Sequence, residues 1–130
     1  MNTPELKNIL ERQKAKLEEY LNIVNEKQNV LITNEMLKLQ VITNGEQKIL
    51  LEIKDIEDEW ISVLKKNYSY DDTIKAEIKA LQSGIKELVL EINRINTINK
   101  YLISNAREFI KEIMAAIFMN KKRSLIDRKI

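Results

Sequence analysis

Apolar residues return in steps of three and four along almost the whole of this chain. Leu6, Leu10, Leu17, Tyr20, Val24 and Leu31 make the first series, with Gln13 and Lys27 in the missing positions and Ile9, Leu21 and Val30 widening the face. Residues three and four apart share one side of an α-helix, so this spacing predicts an amphipathic helix. Thr3 suits an N-cap, Pro4 the first helical position and Glu5 the first turn, which sets the expected range at 4–32. Thr33 and Asn34, ahead of Glu35, are the next capping residues. A second series, Leu39, Ile42, Ile49, Leu50, Ile53, Ile56, Trp60, Val63 and Leu64, predicts a helix over 34–66. Gly45 falls inside it and costs about 1 kcal/mol relative to alanine, so a bend or boundary is expected there.

The segment NYSYDD, residues 67–72, is the strongest break, with Ser69 or Asp71 to cap the next helix. From Ile74 the heptad is nearly strict: Ile78, Leu81, Ile85, Leu88, Ile92, Ile95, Asn99, Leu102, Ala106, Phe109, Ile113 and Ala116 come after it, with Asn99 the one polar member. A third helix over 71–120 and a basic tail over 121–130 are expected. Such a sustained 3.5-residue period means coiled-coil-like packing. The expected fold is therefore all-α: an elongated antiparallel three-helix bundle, a single domain over 1–130, with a long overhanging C-terminal helix.

The overhang is a consequence of length. At 1.5 Å per residue the three helices measure roughly 44, 48 and 74 Å. Short connections make neighbours antiparallel, so the third helix is expected to run back along the second and outrun it by roughly 16 residues, from near Asn105 to Asn120. Phe109, Ile110, Ile113, Met114, Ile117, Phe118 and Met119 crowd that stretch. A large apolar patch left in water marks an interaction site.

Composition sharpens the picture by exclusion. Two Gly and one Pro in 130 residues favour long helices. Without Cys or His there is no disulfide scaffold, no thiolate or zinc chemistry and no imidazole catalysis. Asp71–Asp72 and Glu57–Asp58–Glu59 read as a cap and a solvated helix face, so no catalytic residue, metal site or cofactor is expected. No apolar run reaches the ~20 residues that span a bilayer, and MNTPELKNIL lacks the pattern of a signal peptide. Membrane insertion is not expected, and the site of action is expected to be the cytoplasm. The net charge is +2, concentrated at the C-terminus in Lys121, Lys122, Arg123, Arg128 and Lys129 against Asp127. The body is then slightly acidic, which argues against nucleic-acid binding.

Asn93, Asn96 and Asn99 recur every third residue near the middle of the third helix. Asparagine is a poor helix former, and its amide must be paired when buried. Asn99, on the seam, reads as a device that selects one register at a cost in stability. The three amides read equally as bonding groups for another helix, at the changeover from intramolecular seam to partner surface. Asn93 and Asn96, off the seam, are also consistent with plain solvation.

The run Asn96-x-x-Asn99-x-x-Leu102-Ile103, with Phe109 and an apolar, aromatic-bearing end after it, resembles the FlgN-type flagellar export chaperones. The first half and the tail SLIDRKI are similar in style to that family as well. Trp60 and Phe118 depart from its pattern, so no role of a tyrosine hydroxyl is carried over. The resemblance implies a helical, non-enzymatic chaperone that masks the amphipathic terminal helix of hook-associated proteins and delivers them to the type III export gate. Its partners would be those proteins and the export machinery. The residues expected to bind them are Asn96, Asn99, Leu102, Phe109, Ile110, Ile113, Met114, Ile117 and Phe118. The heptads alone are equally met by a structural coiled-coil adaptor or a homodimer without a client.

Overall fold

The computed structural model of the chain describes the backbone of residues 3–66 and 71–129 and the side chains of residues 5–66 and 71–122. Helix α1 spans Thr3–Thr33, α2 Met36–Leu64 and α3 Asp72–Lys129, and no strand occurs among the described residues. The all-α bundle expected from the periodicity is the fold observed.

The link between α1 and α2 is built differently from the expectation. Asn34 adopts φ 57°, and the Glu35 N–H donates to the Val30 carbonyl at 3.1 Å. A left-handed residue with this six-to-one bond is the standard way to close a helix C-terminus. Thr33 turns its hydroxyl back to the Asn29 carbonyl at 2.9 Å. Both residues therefore end α1 and neither caps α2. Glu35 takes the cap position of α2 without a side-chain cap bond. With so short a link, stop and start compete for the same residues, and asparagine's tolerance of the left-handed region settles the competition.

Gly45 marks no boundary: α2 continues unbroken through it. At the third helix, Asp71 Oδ1 accepts the Ile74 N–H at 2.8 Å, a helix cap. Ser69, the alternative, lies outside the described residues, as do the other residues of the break at 67–70. The expected cap side chain of Thr3 lies outside them too. α3 has 58 residues, about 87 Å, against 31 residues and about 46 Å for α1. It continues to Lys129, through the stretch expected as a tail. No Gly or Pro occurs after Gly84, and basic residues suit the negative end of a helix.

Ion pairs reveal the directions. Arg12–Glu59, Lys16–Glu52 and Lys27–Glu46, at 2.9, 2.9 and 3.1 Å, join rising numbers on α1 to falling numbers on α2, so these helices are antiparallel. Lys7–Glu77 at 3.0 Å and Tyr20–Asn96 at 3.1 Å rise together, so α1 and α3 are parallel. α1 packs against both partners, whereas the backbones of α2 and α3 make no close approach. The third helix thus runs antiparallel to the second, as expected, but packs along the first. The reason is α1's double face: Leu21 lies beside Leu88 of α3, while Ile9 lies beside Val63 of α2.

Two apolar clusters hold the bundle. Leu17, Tyr20, Val24, Ile49, Ile92 and Ile95 form one, and Leu6, Ile9, Ile56 and Val63 the other, with Trp60 and Ile78 against it. Each such side chain contributes about 1.5–3 kcal/mol, whereas a surface ion pair contributes about 0–1 kcal/mol. Burial therefore holds the helices together, and the two-residue link sets α2 antiparallel to α1.

Candidate partner-binding surface

The expected binding residues divide at the end of the bundle. Ile92, Ile95 and Asn99 are buried against α1. Asn99 Nδ2 donates to the Val24 carbonyl at 3.0 Å, and its Oδ1 is buried without a hydrogen-bond partner among the described residues. Asn96 Nδ2 donates to the Tyr20 hydroxyl oxygen at 3.1 Å. Burial pushes the Tyr20 hydroxyl above its ordinary pKa, with the Asn96 bond acting in the opposite direction. Asn93 is exposed, and its carbonyl accepts the Thr97 hydroxyl at 2.8 Å. Two rungs of the ladder thus clamp α3 to α1, and the third faces solvent. Leu102, half-buried, closes this seam.

Beyond it α3 stands alone. Thr33 lies nine residues past Val24, so the same advance from Asn99 puts the end of α1 level with about residue 108 of α3. Roughly 20 residues, or about 30 Å, project further. Phe109, Ile110, Ile113, Met114, Ile117, Phe118 and Met119 are all exposed there, Phe109 by 63% and Phe118 by 67%. Ile113 and Ile117, at 42% and 47%, are the least open of the group. Charge is sparse: Lys111 pairs loosely with Glu108 at 3.8 Å, and Lys121 and Lys122 are exposed after the apolar run.

The structure adds residues that periodicity did not single out. Ile32 and Met36 lie exposed at the end from which α3 projects, and Leu37 and Val41 extend apolar surface onto the outside of α2. Leu37 is 90% exposed. The four-residue step from Leu37 to Val41, off the line of Ile42 and Ile49, was the only signal in the sequence.

A concavity of about 200 Å³ lies between the helices and is lined by Ile9, Leu10, Gln13, Ile56, Glu57, Trp60, Gln82 and Ile85. Gln13 Oε1 is buried without a partner among the described residues. The lining is mostly apolar, with Glu57 and Gln82 as its other polar members. Among the described residues no group of acidic, His or Cys side chains converges to hold a metal ion, and no helix is long and apolar enough to cross a membrane. The chemistry on offer is apolar helix pairing with basic residues beyond it.

Comparison with known proteins gives one match: the family model described as FlgN protein aligns with residues 1–126. No curated protein matches the chain, and no solved structure does.

Proposed function

The chain belongs to the FlgN family of flagellar export chaperones, and from that premise we propose that the projecting end of α3 is its client-binding surface. Phe109, Ile110, Ile113, Met114, Ile117 and Phe118 take the apolar face of an amphipathic terminal helix of a hook-associated protein. Covering that face masks it from premature assembly, and the complex is then delivered to the export gate from the cytoplasm. Helix pairing needs no catalytic group, and the Met and Phe content suits a surface that adapts to its partner.

The observation that carries this reading is the exposure of seven large apolar side chains on one helix beyond the end of its neighbours. Asn96 and Asn99 enter differently from a direct contact. Their bonds to α1 fix where the overhang begins, so their part in binding is to set the root of the surface.

Replacement of Ile113 and Ile117 by Asp tests the reading. Two lost aliphatic contacts weaken a client complex by about 10²-fold or more, measured by titration with a purified hook-associated protein. The melting temperature stays unchanged, because neither side chain packs within the bundle. Unchanged client affinity rejects the surface. A second copy of the chain on the same stripe is the competing reading. It gives concentration-dependent melting of the parent chain that the double variant abolishes.

A further inference from the structure

The overhang is a continuation of an interface already made lower down. Ile92, Ile95 and Asn99 face α1, and Leu102 and Ile103 are half-buried at its upper end. From Ile103, steps of seven reach Ile110 and Ile117, so these lie on the same line up the helix. Ile113 falls beside that line. At about 100° per residue, Phe109 and Phe118 stand on opposite flanks of it. The stripe that receives α1 therefore extends past Thr33, where α1 itself ends.

Both ends of the vacant stretch carry charge. At the lower end α1 stops with no basic residue in its last turn, and the N-terminus of α2 begins beside it at Met36, so the two helix ends offset one another there. Lys121, four residues beyond Ile117, falls on the line of the stripe and is exposed. The floor is thus mixed in sign and the ceiling positive. A helix meets this positive ceiling favourably when its C-terminus lies there and its N-terminus at the floor.

We propose that the client helix docks as a coaxial extension of α1, running parallel to α3, with its N-terminal end over Thr33–Glu35 and its C-terminal end at Lys121. The space holds about four turns, roughly 20 Å. Ile32 and Met36, exposed at the floor, meet its first turn. An antiparallel client would set the positive end of its dipole against Lys121. This inference rests on the client-binding role of the overhang and adds the polarity of the bound helix.

The absence of cysteine allows a direct test. Glu35→Cys and Lys122→Cys variants are each mixed, with oxidised glutathione as the oxidant, with a synthetic peptide of the helical terminal segment of a hook-associated protein. The peptide carries one cysteine, at its N- or C-terminal end. Preferential disulfide formation of E35C with the N-terminal label and of K122C with the C-terminal label is the expected result. The reverse pattern overturns the polarity while leaving the overhang as the binding surface. Binding without any cross-link to E35C overturns the coaxial placement. Absence of peptide binding to the unmodified chain removes the client-binding role itself, and the polarity with it. Lys121→Glu is expected to weaken peptide binding about five-fold, and unchanged affinity overturns the assignment of the ceiling.

Discussion

Asn99 and Val24, 75 residues apart in sequence, are joined by a bond from an amide nitrogen to a main-chain carbonyl at 3.0 Å. The apolar seam alone would tolerate a slide of α3 along α1 by one heptad, since every seven residues it presents a similar aliphatic face. Such a slide would bury the Asn99 amide against side chains that cannot bond it. Asn96 and Tyr20 repeat the constraint one turn earlier. Together they set how much of α3 projects.

Replacing Asn99 with Leu is expected to raise stability by about 1 kcal/mol. The variant loses one bond, but it also removes a buried Oδ1 that has no partner among the described residues. The same change loosens the register, so distance measurements between labels on α1 and α3 broaden while the melting temperature rises. A fall in melting temperature would show that the bond to Val24 outweighs the unpaired oxygen.

Ile95 and Ile113 occupy related seam positions in opposite surroundings, 2% and 42% exposed. Ile95→Ala is expected to cost about 2–5 kcal/mol, and Ile113→Ala to stay within about 0.5 kcal/mol. Denaturant midpoints of the two variants decide this. Similar losses in both would mean that the overhang packs onto something in solution.

Gly45→Ala is expected to stabilise the chain by about 1 kcal/mol. The site lies within continuous α2, and an added Cβ would meet nothing within 4 Å. A thermal melt suffices, and destabilisation would mean that α2 bends at this point in solution.

Stability is expected to be flat across neutral pH, because the chain has no histidine. Hydrogen bonding to Lys16 lowers the Glu52 pKa, so that contribution is present above the ordinary carboxylate range and fades as pH falls through the lowered value. Lys16, raised chiefly by its bonds to Glu52 and Glu19, loses its contribution as pH rises through its raised pKa, above 10.5. Tyr20, raised by burial, adds to the alkaline loss above its ordinary value of 10.0. In Tyr20→Phe the alkaline fall of the melting temperature is expected to be shallower than in the parent chain.

The helices and their approximate ends were legible in the sequence because local interactions determine them. Apolar steps of three and four, Asp71 as a cap and the scarcity of Gly and Pro act within a turn or two of the chain. The exposed run from Phe109 to Met119 was equally legible, since the length of α3 leaves it without a neighbour. Partner choice was not legible. Heptads on three helices look alike, so the pairing of α3 with α1 depended on α1 having two apolar flanks in three dimensions. The role of Asn34 had the same difficulty: a cap and a left-handed stop use the same residue type, and geometry chose the stop. Asn96 and Asn99 stood out in the sequence as anomalies, but their bonding partners, Tyr20 and the Val24 carbonyl, lie 76 and 75 residues away. Local chemistry selects a helix within a few residues. Only packing brings distant residues together, and packing therefore decided the register, the partner of α3 and the point where the overhang begins.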